Sequence, residues 1–430
     1  MGRRGFLTTV GAAVPAVVAA PALGASGGGR HGPRRVVTGA DVLAADDWAP
    51  LSGQRVGVVT NPTGVLSDLT SIVDSMAASG KVDLVGVFGP EHGFRGTAQA
   101  GESEGNSVDE RTGVTVYDAY GADRADFAAM FREARVETVV FDIQDVGARF
   151  YTYVWTMYTA MTAAVDVGAR FVVLDRPNPT GGTARGPMMT AGFTSGVGQK
   201  EIVQQHGMTV GELARFFDGE FLADETGGRL TRLDVVKVRG WRRDQVFAET
   251  GLAWVPPSPN MPTPDTALVY PGTCLFEAVT WSEGRGTTRP FETVGAPGVP
   301  YAYAAALREQ RLRGVSFRET YFVPTFSKHL GQVCGGVQVY VDDPHALDPV
   351  RLGIAMLVEA RRTGGGTFDW RAGDPADKRW IDKLTGSTRV RDQIEDGASV
   401  DAITGAWRRE LAEFVDRRRP YLLYPEKGHR

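Results

Sequence analysis

The sequence is poor in cysteine and histidine, the residues that build disulfide frameworks and most zinc sites. Its 430 residues include two cysteines, Cys274 and Cys334, and six histidines. Two cysteines allow one disulfide at most, which excludes a disulfide-rich scaffold. Cys334 begins an apolar run beside two glycines and Cys274 lies in a predicted loop, so we expect two buried free thiols in preference to a bridge.

Signatures of nucleotide binding and of two hydrolase classes are also missing. No Gly-x-Gly-x-x-Gly and no Gly-Lys-Ser or Gly-Lys-Thr phosphate loop lies between a predicted strand and the helix after it. The two Gly-x-Ser-x-Gly strings, at 24–28 and 101–105, do not join a predicted strand directly to a helix, as a nucleophile elbow does. The His-Glu-x-x-His motif of zinc peptidases does not occur. Positive charge is not in excess either, because 47 Lys and Arg stand against 51 Asp and Glu, which argues against a nucleic-acid-binding protein.

The first 25 residues have the composition of an export signal. Arg3-Arg4-Gly5-Phe6-Leu7 precedes an Ala- and Val-rich run from Val10 to Ala20, and small residues at 22–25 offer a cleavage point. This pattern predicts a twin-arginine signal peptide. The run is shorter than the about 20 residues of a spanning helix, and no cysteine follows it to carry lipid. We therefore expect a secreted or cell-wall-associated protein without a membrane anchor after cleavage.

Segments with strand and helix patterns alternate through the first half of the chain. Several apolar runs are continuous, which is typical of strands covered on both faces. The alternation predicts an α/β fold, with a mostly parallel, Rossmann-like sheet and helices on both of its faces. The predicted strands lie at 55–60, 82–87, 136–143, 170–176 and 233–238, and the predicted helices at 66–78, 123–134, 151–167 and 209–217.

The composition changes in the middle of the chain, where prolines are concentrated. Five of them fall between Pro256 and Pro264, which disfavours regular structure and predicts a linker or a rigid wall at a domain junction. Beyond it, the sequence predicts a loop region at 271–298, helices at 302–311 and 347–361, a strand at 336–341, and a last helix with the apolar stripe Val400, Ile403, Trp407, Leu411 and Phe414.

Polar side chains follow the ends of several predicted strands. They are Asn61, Glu91, Asp145 and Asp175. Because the carboxyl ends of parallel strands meet at one edge of a sheet, we expect these groups to form an active-site floor. The most distinctive of these segments is Gly89-Pro90-Glu91-His92-Gly93-Phe94-Arg95-Gly96, in which proline and glycine stop the strand and place Glu91 and His92 just beyond it.

A second polar cluster, Trp281-Ser282-Glu283-Gly284-Arg285, has the composition of a sugar subsite. An indole can stack on a pyranose ring, while carboxylate and guanidinium groups bind hydroxyls and anionic substituents. The alternative is a solvated loop. Two carboxyls across a cleft are also what glycoside hydrolysis needs, one as acid and one as nucleophile or base, but sequence spacing does not distinguish retention from inversion.

Two other functions stay open at this point. Asp142 and Asp145 with His92 could bind a metal ion, which would indicate a metal-dependent hydrolase. A non-catalytic cell-wall sugar-binding protein would keep Trp281 and Arg285 without needing a catalytic acid.

Five motif blocks in order resemble the NamZ (YbbC-like) exo-β-N-acetylmuramidases. They lie at 89–96, 142–153, 174–179, 259–262 and 282–288. The resemblance implies release of N-acetylmuramic acid from non-reducing ends of peptidoglycan glycan strands, with Glu91 as the catalytic glutamate and no cofactor. In that family Gly-Thr-Asn more often follows the glutamate corresponding to Glu277, whereas Ala278-Val279-Thr280 follows it here.

The resemblance also implies a cleft between two domains. We expect a signal peptide at 1–25, a flexible leader at 26–35, a Rossmann-like catalytic domain at 36–255 and a smaller α+β domain at 256–430. The candidate catalytic residues are Glu91, Glu283 and Asp145. The candidate substrate-binding residues are His92, Arg95, Gln144, Arg149, Tyr151, Asn178, Asn260, Glu277, Trp281 and Arg285.

Selectivity for muramic acid over glucosamine requires recognition of a lactyl carboxylate. An arginine suits this best, because its planar fork holds a carboxylate through two charge-assisted hydrogen bonds. We rank Arg95 first, because it is close in sequence to Glu91, then Arg285 and Arg149.

Overall fold

The computed structural model describes residues 35–96, 105–373 and 379–425, so the predicted signal peptide lies outside the described residues. The strands are β1 (Arg55–Thr60), β2 (Asp83–Gly89), β3 (Ser107–Val108), β4 (Thr115–Asp118), β5 (Thr138–Asp142), β6 (Arg170–Leu174), β7 (Arg185–Met188), β8 (Val203–Gln205), β9 (Leu233–Val236), β10 (Thr293–Ala296), β11 (Val315–Phe322) and β12 (Cys334–Val341). The α-helices are α1 (Gly39–Ala44), α2 (Ile72–Ser79), α3 (Arg124–Glu133), α4 (Tyr153–Val167), α5 (Val210–Phe217), α6 (Ala223–Thr226), α7 (Pro264–Thr273), α8 (Ala302–Glu309), α9 (Pro349–Thr363), α10 (Trp380–Thr385), α11 (Arg389–Glu395), α12 (Val400–Gly405) and α13 (Arg408–Arg418). Among these, no helix has the length and apolar character that a membrane span requires.

The first half of the chain forms a seven-stranded sheet in the order β3-β4-β2-β1-β5-β6-β9. All neighbouring strands are parallel except β3 and β4. Every residue of β5 is buried, as expected for a strand covered on both faces. Val59 of β1 pairs with Phe88 of β2 and with Phe141 of β5, so these three strands end at the same level. The predicted α/β fold is confirmed.

Two predicted helices differ from the structure. The segment predicted as a helix from Leu66 begins only at Ile72, because Leu66 N donates to Thr70 O and Leu69 adopts a φ of 70° in a turn. The predicted last helix is two helices, α12 and α13, which are separated at Trp407, where ψ is 9°. The apolar stripe is nevertheless buried, apart from a half-buried Leu411, because the two helices keep one face toward the core.

The second half contains a three-stranded antiparallel sheet, β10-β12-β11, packed on helices. Helices α7 and α9 cross with their backbones in contact. A Cβ at Gly272 would lie 1.8 Å from Pro349 O, so only glycine fits at this crossing. Helix α7 extends through residue 273, where a loop was predicted, and Cys274 begins a 3-10 helix (Cys274–Ala278). Both cysteines are buried free thiols, as predicted.

The proline-rich segment is a wall that is fixed to the first half of the chain. Pro257 O accepts hydrogen bonds from Asn61 Nδ2 at 3.3 Å and from the Tyr153 hydroxyl at 2.7 Å. Pro264 occupies the first turn of α7, where its missing N–H costs nothing. One hydrophobic cluster continues from the sheet into the second half, and the predicted domain limits at 36–255 and 256–430 stay predictions.

Candidate active site

A cleft of about 1190 Å³ opens beyond the carboxyl ends of β2 and β5. Its walls come from both halves of the chain. The charged and titratable side chains that line it are Glu91, His92, Tyr120, Tyr151, Tyr153, Tyr270, Glu277, Glu283, Arg285, Lys328, His329 and Arg371. Six of the predicted site residues therefore share this cleft: Glu91, His92, Tyr151, Glu277, Glu283 and Arg285.

Glu91 lies in a tight turn directly after β2. Gly93 N donates to Pro90 O at 2.8 Å, and His92, the third residue of this turn, has a φ of 74°. A positive φ at that position is typical of a type II turn and is strained for a residue with a Cβ. The neighbouring Gly89 must lack a Cβ, which would lie 2.8 Å from Phe94 N. The turn thus gives Glu91 a fixed position at the edge of the sheet.

Hydroxyl groups surround Glu91. The Thr152 hydroxyl donates to Glu91 Oε2 at 3.4 Å, and the Tyr153 hydroxyl lies 3.2 Å from Glu91 O. Burial raises the pKa of Tyr120, Tyr151 and Tyr153, and the negative charge of Glu91 raises it further. The three phenols line the cleft together with Glu91.

Aromatic rings form a continuous floor between the two sides of the cleft. The ring centroid of Tyr151 lies 5.3 Å from that of Tyr153 and 5.6 Å from that of Tyr270, in T-shaped contacts. Tyr270 in turn lies 4.7 Å from Phe291, and the guanidinium of Arg285 lies 5.1 Å from the Phe291 ring. This floor connects the Glu91 turn with the charged cluster opposite.

That cluster consists of Glu277, Glu283, Arg285 and Lys328. Arg285 Nη2 lies 2.7 Å from Glu277 Oε1, and Arg285 Nε lies 3.2 Å from Glu283 Oε1. Lys328 Nζ lies 2.9 Å from the other oxygen of Glu283, Oε2. Burial raises the pKa of Glu277, and the nearby Glu283 adds to the rise while Arg285 opposes it. Glu283 is thus a carboxylate with a cation at each oxygen.

Lys328 was not predicted from the sequence. It lies in the loop between β11 and β12, and its ammonium group also donates to Phe276 O at 2.7 Å and to Trp281 O at 3.1 Å. Its neighbours Ser327 and His329 both have positive φ, at 67° and 57°. No motif surrounds Lys328, and only the three-dimensional contact with residues about fifty positions earlier brings it into the cleft.

Three of the predicted residues after β5 and β6 support the backbone near the cleft and do not line it. Asp145 is buried, its Oδ2 lies 3.1 Å from His206 Nε2, and it accepts from Gly147 N at 2.7 Å. Gln144 Nε2 donates to Asp145 O and Pro177 O. Asn178 Nδ2 donates to Met208 O.

The two aspartates of the predicted metal site, Asp142 and Asp145, have other partners in the structure. Asp142 forms a buried, bidentate ion pair with Arg176. His206 Nδ1 accepts from Met208 N at 3.2 Å, so its Nε2–H points to Asp145. Within residues 35–96, 105–373 and 379–425, no group of three His, Cys, Asp or Glu is arranged to hold a metal ion.

Four further predicted residues lie away from the cleft. Trp281 is fully buried and donates to Thr367 Oγ1 at 3.1 Å, so its ring faces are covered by protein and cannot stack on a sugar. Arg149 is also fully buried and donates to the carbonyls of Pro187, Ile202 and Leu384.

Arg95 and Asn260 are the other two. Arg95 pairs with Asp74 and Asp109, each at 2.9 Å, and does not line the cleft. Asn260 is buried in the proline-rich wall and does not line the cleft.

Two family models together match most of the chain. The model described as exo-beta-N-acetylmuramidase NamZ, N-terminal, matches residues 56–265, and the corresponding C-terminal model matches residues 268–424. A protein of Bacillus subtilis (strain 168) named peptidoglycan beta-N-acetylmuramidase NamZ is 43% identical over 392 residues, which are 91% of this chain and 92% of that protein.

Two solved structures from Bacteroides fragilis NCTC 9343 have the same fold. Both are described as DUF1343 family proteins. One has a TM-score of 0.81 at 32% identity, and the other has a TM-score of 0.73 at 29% identity. Each comparison covers 91% of this chain and 99% of the solved chain.

Proposed function

The chain belongs to the NamZ family of exo-β-N-acetylmuramidases, and on this premise we propose that Glu91 is the general acid/base with which it releases N-acetylmuramic acid from peptidoglycan. The chain is thus a glycoside hydrolase, acting at the non-reducing ends of glycan strands. The observation that carries the assignment of Glu91 is its place across one cleft from a carboxylate that already has two cations beside it.

The two sides of the cleft suit different roles. Glu283 lies within 3.2 Å of Arg285 and Lys328, and each of these cations pairs with one of its two oxygens. A carboxylate that is paired in this way suits the role of nucleophile, of base toward water or of partner to an oxocarbenium-like transition state. The remaining role, proton donation to the leaving oxygen, then falls to Glu91 on the other side of the cleft.

Asp145 has no proton-transfer role in this proposal. Its contacts with His206 and Gly147 N hold the segment that leads to Tyr151 in the floor. Tyr120, which is exposed, and Trp380, which is half-buried, line the cleft and replace Trp281 as the aromatic surfaces on which a sugar ring can stack. The anomer that is released first, observed by NMR, would distinguish retention from inversion.

We also propose that residues 1–25 export the protein, because its polymeric substrate lies outside the cytoplasmic membrane. A fusion of these residues to a reporter would test this, and replacement of Arg3 and Arg4 by lysine should abolish export through the twin-arginine route.

The test of the function is turnover of a chromogenic β-N-acetylmuramide by the purified chain. We expect release of the chromophore, little release from the β-N-acetylglucosaminide, and no effect of a strong chelator. Binding of the muramide without turnover would instead indicate a sugar-binding protein, and loss of turnover with chelator would indicate a metal-dependent hydrolase.

A further inference from the structure

The two arginines that line the cleft differ in what their guanidinium groups contact. Arg285 is engaged by Glu277 and Glu283. Arg371 is exposed and, within the described residues, forms no ion pair with a carboxylate. Its guanidinium carbon lies 5.8 Å from the centre of the Trp380 ring, which also lines the cleft. Among the described residues, Arg371 is therefore a cation in the cleft that has no carboxylate partner.

The backbone of Arg371 is held close to the charged cluster. Arg371 N donates to Ala278 O at 2.8 Å, and Arg371 O accepts from Trp380 N at 3.3 Å. The preceding residue, Trp370, forms an antiparallel bridge with Val279. Ala278 directly follows Glu277, so the arginine is attached to the same rigid segment that carries one of the cleft carboxylates.

The partners of the other charged groups near Arg371 determine which ligand it can bind. Glu277 and Glu283 are neutralised by Arg285 and Lys328, and all three N–H groups of Lys328 already have acceptors. His329 Nε2 is engaged by Thr280 O at 2.8 Å. An anionic group that enters the cleft would therefore find its best partner in Arg371. A guanidinium that lies near an indole also keeps its N–H edge available for a carboxylate.

We propose that Arg371 binds the lactyl carboxylate of the terminal N-acetylmuramoyl residue and so distinguishes it from N-acetylglucosamine. This inference rests on the proposed function, because only a muramoyl sugar carries that carboxylate. It replaces Arg95 and Arg149, which lie outside the cleft, and Arg285, whose Nη2 and Nε atoms already pair with two carboxylates.

The test compares Arg371→Ala with wild type on two chromogenic substrates, the β-N-acetylmuramide and its analogue in which the lactyl carboxylate is converted to the neutral amide. Loss of one charge-assisted contact should lower kcat/KM on the acid by about 10- to 150-fold and leave the amide within about twofold. The matched control is Lys383→Ala, since Lys383 Nζ lies 5.6 Å from the same Trp380 ring but does not line the cleft. This control should leave both substrates unchanged.

Three results would overturn the inference. Equal losses of kcat/KM on the acid and the amide would indicate a structural role for Arg371. The same loss in Lys383→Ala would indicate disturbed packing of Trp380. An unchanged kcat/KM on the acid would mean that another donor binds the carboxylate. If wild type cleaves neither substrate, the proposed function fails instead. Calorimetry with free N-acetylmuramic acid then still tests the inference, because Arg371→Ala should weaken that binding by a similar factor and leave N-acetylglucosamine unaffected.

Discussion

Lys328 Nζ lies 2.9 Å from Glu283 Oε2 and joins two segments that are 45 positions apart in the sequence. The same ammonium group also donates hydrogen bonds to two backbone carbonyls, Phe276 O and Trp281 O. Lys328 thus ties the loop between β11 and β12 to the segment that carries Glu277 and Glu283, and it holds one carboxylate of the cleft in place.

Replacement of Lys328 by methionine should lower the free energy of unfolding by about 1 to 3 kcal/mol, because the carboxylate and both carbonyls lose a donor in a largely buried place. Urea denaturation measures this change. The control is Lys81→Met, which removes an ion pair with Asp47 on the exposed surface and should cost less than about 1 kcal/mol. Equal effects of the two substitutions would contradict the structural role of Lys328.

Arg149→Met should reduce stability and leave substrate selectivity unchanged. The buried guanidinium donates to Pro187 O, Ile202 O and Leu384 O, and loss of these bonds should cost at least about 3 kcal/mol in the free energy of unfolding. The ratio of kcat/KM on the muramide to that on the glucosaminide should stay within about twofold. A changed ratio at an unchanged unfolding midpoint would restore Arg149 as a candidate for lactyl binding.

Asp175 should make stability depend on pH. Burial raises its pKa to about 7 from 3.8, although hydrogen bonds from Tyr424, Gly211 and Thr209 oppose the rise. Between these two values the folded chain holds a proton that the unfolded chain has released, so the contribution of Asp175 to the free energy of unfolding falls as pH rises from about 4 to about 7.

Urea midpoints of wild type and Asp175→Asn across this pH range test the direction of the predicted pH dependence. The difference between the two proteins should change steadily with pH, because the asparagine does not titrate. Tyr424→Phe removes a hydrogen-bond donor that favours the ionised form of Asp175. In this variant the free energy of unfolding should therefore continue to decrease to higher pH than in wild type. A difference that is constant across the range would show that Asp175 is already ionised at pH 4.

The main sheet and the position of Glu91 could be predicted because their signals are local. Continuous apolar runs indicate buried parallel strands, and Gly89-Pro90 marks the end of β2 whatever packs around it. The capping box at Thr209 likewise defined the start of α5. In each case the decisive residues are neighbours in the chain.

The rest of the cleft could not be predicted because it depends on contacts between distant segments. Trp281 lies in a segment whose composition is typical of a sugar subsite, but Thr367 and the surrounding core cover its ring. Arg95 is four residues from Glu91, yet the intervening turn directs it to Asp109. Arg371 and Lys328 lie outside every motif block, and only the folded chain brings them beside Glu277 and Glu283.

The proposed role of Glu91 as the proton donor in glycoside cleavage is tested by kcat of Glu91→Gln on the chromogenic β-N-acetylmuramide. We expect kcat to fall by about 10²- to 10⁴-fold with an unchanged urea midpoint, while Glu110→Gln, an exposed control that does not line the cleft, retains full activity. A loss of less than about tenfold in the folded Glu91→Gln protein would show that another carboxyl group donates the proton.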